Sequence, residues 1–280
     1  MRLFLSSLCV CLALFFFVPP KPCAADRLSI QDGTHLVLLG NGLGSRMGRY
    51  GHFETEMHLR YPSSRLFIRN MCDEGNTPAF RPHSARNDPW PFPGAEKYRT
   101  LGQAKDRWGS GHAGRGFYEK PDQWLTRLKA DVIIAFFGFN ESFEGGAGLD
   151  RFKAELADFI NHTRSQKYNG KTAPQLALVS PVAFENLSAT HGTPDGTVEN
   201  TNLSLYTAAM EDVAKRHGVL FLNLFSVTQR WMEQSSEPLT RDGALLTEAA
   251  YRRLAPVLAE GLFGKPRAAG EAGQILKAVR

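Results

Sequence analysis

The amino-acid sequence predicts an α/β protein with a five-stranded, mostly parallel sheet covered by helices on both faces. Three observations predict it. Five short apolar runs are each bounded by polar or turn residues, as buried strands are. Segments of helical periodicity lie between the runs, and strands alternating with helices build a parallel sheet. Once a leader is set aside, about 255 residues remain, a length suited to one domain with a large core.

The strands are expected at His35–Leu39, Leu66–Arg69, Val132–Phe137, Gln175–Val179 and Val219–Leu222. Helices are expected over Phe53–Tyr61, Pro121–Lys129, Leu149–Gln166, Thr201–His217 and Thr247–Phe263. Pro121 stands where a helix tolerates proline, because its first N–H needs no partner. Phe152, Leu156, Phe159 and Ile160 fall at helical spacing, and the charges of Lys153, Glu155 and Asp158 read as a solvated face. Residues 71–120 break the alternation. They are rich in Pro, Gly, Arg and His, and Trp90, Phe92, Tyr98, Trp108, Phe117 and Tyr118 are too many aromatics for plain disorder. This segment reads as an ordered excursion over the sheet's carboxyl edge, where open α/β sheets bind ligands. Residues 265–280 read as a flexible tail.

Residues 1–25 predict the compartment. Arg2 is followed by the apolar run Leu3–Val18, then Pro19-Pro20 and the small pair Ala24-Ala25, the order of a cleaved secretory signal peptide. The run is shorter than the ~20 apolar residues that span a bilayer, so an exported protein, periplasmic or extracellular, is expected rather than an anchored one. Cys23 follows Lys21-Pro22, which does not suit lipidation. Cleavage would also remove Cys9, Cys11 and Cys23 and leave Cys72 alone, so no internal disulfide could form. Cys72 is either a reactive thiol or, more commonly for such a residue, a small buried apolar side chain. The formal charge of +5 falls to +3 without Arg2 and Lys21, too balanced to argue for nucleic acid. No later stretch is apolar enough to span a membrane.

Three sequence blocks follow strands and so fall on one edge of the sheet: Gly40-Asn41-Gly42-Leu43, Asn70-Met71-Cys72-Asp73-Glu74-Gly75 and Gly138-Phe139-Asn140-Glu141. A fourth, Asp242-Gly243-Ala244-Leu245, opens the last helix. In order and placement these blocks resemble those of the SGNH, or GDSL-type, hydrolases. The segments Trp124–Asp131 and Phe136–Phe143 resemble most a group of exported bacterial esterase-like proteins, and the likeness runs over residues 35–263. It implies a three-layer, flavodoxin-like domain over 26–264, with strand order 2-1-3-4-5.

The resemblance also implies roles. An attacked ester carbonyl becomes an oxyanion, which needs donors already aimed at it. Gly75 and Asn140 fill the family's glycine and asparagine positions for that task. Asn140 alone could equally be a turn residue closing a strand. Asp242 matches the aspartate that orients a catalytic histidine, or else caps the last helix, a task Thr247 could also perform. Two positions depart from the family. Gly42 stands at the nucleophile and has no hydroxyl, and Leu245 stands at the base and cannot take a proton. Losing either member of such a relay costs on the order of 10⁶ in kcat.

Ser45, three residues after Gly42, is the candidate substitute nucleophile, with His52, His83, His112 or His191 as its base. None of these histidines has the short, regular spacing of a metal site, and neither a metal nor a cofactor is expected. Glu54 and Glu56, two apart on a helix, point in different directions. Two functions remain open: an esterase or acylhydrolase with lost or strongly altered hydrolysis, acting on small acyl or carbohydrate esters, and a non-catalytic module that binds such ligands. A structural subunit of an envelope assembly is a third possibility, supported by the leader alone.

Overall fold

The protein is described by a computed structural model covering residues 27–82, 88–98, 119–265 and 279. The expected leader, almost all of the tail, and His83, Trp108, His112, Phe117 and Tyr118 lie outside the described residues. The order of elements is β1 (His35–Gly40), α1 (Gly42–Tyr50), α2 (His52–Arg60), β2 (Phe67–Cys72), α3 (Pro121–Arg127), β3 (Val132–Phe136) and α4 (Phe139–Ser142). It continues with α5 (Leu149–Ser165), β4 (Gln175–Val179), α6 (Ser188–His191), α7 (Thr197–His217), β5 (Leu220–Leu222), α8 (Phe225–Gln234) and α9 (Glu248–Phe263). The five strands form one sheet in the order β2-β1-β3-β4-β5, the expected order, and every pair is parallel.

Alternation along the central strands fills two separate layers. Leu36, Leu38, Val132 and Ile134 face α1, α2 and α9, where Met47, Met57, Leu254 and Leu258 meet them. Val37, Leu39, Ile133 and Ala135 face the opposite way, onto Leu125, Phe152, Phe159 and Met210 of α3, α5 and α7. Both faces of β1 and β3 are therefore buried, which is why these strands read as unbroken apolar runs. The register aligns the strand ends. Gly40 pairs with Cys72 and Phe136, Phe136 with Val179, and Val179 with Leu222. The loops leaving β1, β2, β3 and β4 thus emerge from one edge.

Several expectations need correction. β2 runs on through Cys72, beyond the expected end at Arg69. It is an edge strand with Phe67, Arg69 and Asn70 exposed, so no apolar run marks its second half. Helices α1 and α8 were not expected. The first contains Gly42, Gly44 and Gly48, poor helix formers, and forms because Met47 reaches the core and Asn41 caps it, its Oδ1 accepting from Leu43 N at 3.2 Å. Glu155 is fully buried rather than solvated. It lies three residues after Phe152 and four before Phe159, inside the apolar stripe of α5, and Arg151 Nε donates to it at 3.2 Å. Cys72 is partly buried against the core, and burial pushes its thiol pKa well up, the setting of an inert thiol.

Within the 71–120 excursion, Glu74 and Gly75 lie at the carboxyl edge of the sheet, whereas the described residues from Trp90 to Tyr98 pack on the flank of the domain. Trp90, Phe92 and Tyr98 join the layer of α3 and α5, and Phe92 lies 5.7 Å from the His162 ring. Tyr98 Oη and Lys97 Nζ both donate to Asp158, each at 2.7 Å. On the same flank Asp122 accepts from Tyr168 Oη at 2.7 Å and lies 2.6 Å from His162 Nε2, joining α3 to α5. Burial would raise the Asp122 pKa, but the hydrogen bonds of His162 and Tyr168 outweigh it and hold the carboxyl below its ordinary value. A depressed folded-state pKa contributes stability above the unfolded value, and that contribution disappears as the pH falls through the folded value. Asp122→Asn should therefore lower Tm at pH 7, and the gap to the wild type should narrow in thermal melts taken below the ordinary aspartate pKa.

Candidate functional site

One pocket of about 230 Å³ opens where the first, second and third strands end. Its polar lining is Asn41, Gly42, Arg46, Glu74, Gly75 and Asn140. Its apolar lining includes Leu43, Phe139, Phe143, Val182, Leu245 and Tyr251. The structure thus brings Gly42, Gly75, Asn140 and Leu245 together. No serine, threonine, cysteine or histidine is among the lining residues, within the described part of the chain.

Each polar group is placed by its element. Gly42 is the first residue of α1, so its N–H has no intrahelical acceptor and the positive end of the helix dipole faces the pocket. Gly75 follows β2 with φ of +87°, a left-handed conformation that suits glycine. Asn140 lies in the first turn of α4, and its Nδ2 donates one hydrogen to Asn76 O at 2.8 Å. A primary amide has two such hydrogens, so one is left for a ligand. Asn76 Nδ2 in turn donates to Gly40 O at 3.0 Å, which ties the Gly75 loop to the end of β1. Arg46 Nη2 donates to Glu74 Oε1 at 3.0 Å, and these are the charged lining residues. Tyr251 Oη donates to Leu43 O at 3.1 Å, and burial pushes its phenol well above the ordinary pKa, so it stays a neutral donor.

The fourth block reaches the pocket through Ala244 and Leu245, while Asp242 is not a lining residue. Asp242 Oδ1 accepts from Ala244 N at 3.0 Å and Leu245 N at 2.8 Å, so it closes its own turn. The last helix is capped instead by Thr247, whose Oγ1 accepts from Ala250 N at 3.2 Å. Behind the turn sits Glu185, buried, accepting from Leu239 N at 2.9 Å and from Thr240 N and Oγ1, both at 2.6 Å. Gly243 has φ of +91°, and a Cβ there would lie 2.3 Å from Phe184 Cζ. Gly243→Ala should consequently destabilise the fold, by about 2 kcal/mol or more from combined strain and overlap, readable as a lower urea midpoint.

Ser45 does not line the pocket. Three residues along α1 it lies about 4.5 Å further down the axis, away from the donors at the helix start. His52 opens α2, buried, with Nε2 3.3 Å from Glu248 Oε1. His191 ends α6, exposed, its Nδ1 2.7 Å from Thr190 Oγ1. Neither histidine is a lining residue. Among the described residues no group of three His, Cys, Asp or Glu could hold a metal ion. Sequence reasoning missed Arg46, Tyr251 and Val182, which come from helix faces and a loop far apart in the chain. Glu74 could have been found, because it adjoins Gly75 inside the second block.

No family model matches the chain, and no curated protein is similar to it in sequence. Solved structures do match. LAE5, an alpha/beta hydrolase enzyme from the metagenome of Lake Arreo, Spain, superposes with a TM-score of 0.56 at 15% identity, covering 83% of this chain and 96% of its own. Axe2, an acetylxylan esterase from Geobacillus stearothermophilus, superposes with a TM-score of 0.53 at 14% identity, covering 84% and 96%. This chain shares the fold of these enzymes. A gut microbial diltiazem-metabolizing enzyme, BT4096, matches with a TM-score of 0.54 at 11% identity over 85% of this chain and 48% of its own.

Proposed function

We propose that the protein is an SGNH-type relative that binds esters of small acyl groups or acylated carbohydrates outside the cytoplasm, with Ser–His hydrolysis lost. One observation carries this reading: the pocket keeps the donors for an oxyanion, at Gly42, Gly75 and Asn140, but has Leu245 and no hydroxyl in its lining. Donors of this kind hold a carbonyl as well as the anion it becomes, so binding survives where the relay does not. The apolar wall of Phe139, Phe143 and Val182 suits an acyl or sugar face. Solved catalytic mutants of Axe2 replace a serine, an aspartate or a histidine by alanine, the latter two three positions apart. The same spacing here runs from Asp242 to Leu245. The apolar leader at residues 3–18 supports the location, and among the described residues no helix is long and apolar enough to cross a membrane.

Calorimetry with acetylated and deacetylated xylooligosaccharides tests the reading. The acetylated ligand should bind more tightly. Asn140→Ala should weaken it about tenfold, as expected for one hydrogen bond worth ~1.4 kcal/mol. Equal affinity for the two ligands would sink the proposal. A fluorophosphonate, which labels activated serines, should leave the wild-type protein unmodified; labelling of Ser45 would show that the nucleophile had moved.

A further inference from the structure

We infer that Glu74 is the pocket's catalytic base: it activates a water held in the space that the absent side chain at position 42 leaves open. The inference rests on the ester-site reading above. A Cβ built on Gly42 would touch one group among the described residues, Glu74 Cγ, at 3.4 Å. The place a serine hydroxyl would occupy is therefore open to the pocket and walled on one side by the Glu74 side chain. Glu74 is also the anionic residue among the lining residues, and the hydrogen bond from Arg46 engages Oε1 and leaves Oε2 available. Three features thus meet at Gly42: room for a water, a carboxylate beside it, and the donors of Gly42, Gly75 and Asn140.

The reaction needs no further reactant. The water oxygen bonds to the ester carbonyl carbon as one of its protons passes to Glu74 Oε2. The carbonyl electron pair moves onto oxygen, which the Gly42 and Gly75 N–H groups and the Asn140 amide stabilise. As the carbonyl re-forms, the bond to the alkoxy oxygen breaks, and the alcohol leaves with the proton from Glu74. The products are a free acid and an alcohol, and no acyl-enzyme forms. A carboxylate is a weaker base than imidazole at neutral pH, so this route is slow beside a Ser–His relay.

The test uses 4-nitrophenyl acetate and the whole purified protein. Removing a general base costs about 10²-fold or more, so Glu74→Gln and Glu74→Ala should both lose about 10² of the rate above buffer. Added formate should restore Glu74→Ala at least roughly tenfold, because a small carboxylate fills the vacated space, and should not restore Glu74→Gln, whose side chain still occupies it. Restoration by formate separates a base from a residue that merely pairs with Arg46. A wild-type rate equal to buffer, variants within about twofold of the wild type, or no rescue by formate would each overturn the inference. Calorimetry with the acetylated ligand separates the two proposals: binding with unaltered variant rates removes Glu74 as base and leaves the ester site, whereas absence of binding removes the ester site.

Discussion

The Gly42→Ser/Leu245→His double variant is expected to gain ester turnover about 10³-fold over the wild type, with a burst of alcohol release as an acyl-enzyme accumulates. Space permits the serine. Gly42 lies at the start of a helix in ordinary right-handed territory, and among the described residues an added Cβ meets Glu74 Cγ, at the ordinary contact distance of 3.4 Å. Leu245 already lines the pocket, so an imidazole there would face the new hydroxyl. Either change alone should fall well short of the double variant, because Gly42→Ser fills the space of the water beside Glu74 and Leu245→His brings a base with no serine hydroxyl to activate. Asp242→Ala should barely alter wild-type turnover, since no imidazole depends on it, yet should reduce the double variant's rate by about 10² or more. Stopped-flow measurement with 4-nitrophenyl acetate reads both burst and steady state. A single variant as active as the double would show that position 42 or 245 has been misassigned.

Glu185→Ala is expected to produce the largest loss of stability of any single substitution considered, about 3 to 5 kcal/mol, or a Tm lower by roughly 10 °C. The carboxylate accepts from two backbone N–H groups and the Thr240 hydroxyl, and all are buried with it. Alanine leaves these largely buried donors without their acceptor. Thr240 Oγ1 also accepts from Gly243 N at 3.0 Å, so the loss extends to the turn that carries Leu245. Binding of the acetylated ligand should weaken together with stability, because one wall of the pocket hangs on this network. Glu185→Gln should recover part of the loss, since one amide oxygen remains an acceptor while the NH₂ group opposes a donor. Thermal melts of the two variants decide it. A Glu185→Ala protein as stable as the wild type would mean that the turn is held by its other contacts.

Much of the fold was legible in the chain. β1, β3 and β4 are buried on both faces, so each is a run of apolar residues that polarity breaks at its ends. β2 and α1 were harder to read for opposite reasons. The edge strand exposes Arg69 and Asn70, which ends the apolar signal early, and α1 contains three glycines and forms through its cap and its packing. Glu155 shows a limit of reading charge as surface: its helical phase was visible, and the phase rather than the charge set its burial.

The site divides in the same manner. The sequence by itself determined which groups can take part: no hydroxyl at Gly42, no imidazole at Leu245, an amide at Asn140 and a glycine at position 75. Chemical capacity belongs to the residue and needs no coordinates. The tertiary structure alone decided which of these groups meet. It set Ser45 a turn down its helix and off the pocket, engaged Asp242 in its own turn, and brought Glu74 within 3.4 Å of the space left at Gly42. Residues 42 and 74 are neighbours because parallel pairing in register places the ends of β1 and β2 side by side. That proximity is a property of the sheet and of no local stretch of chain.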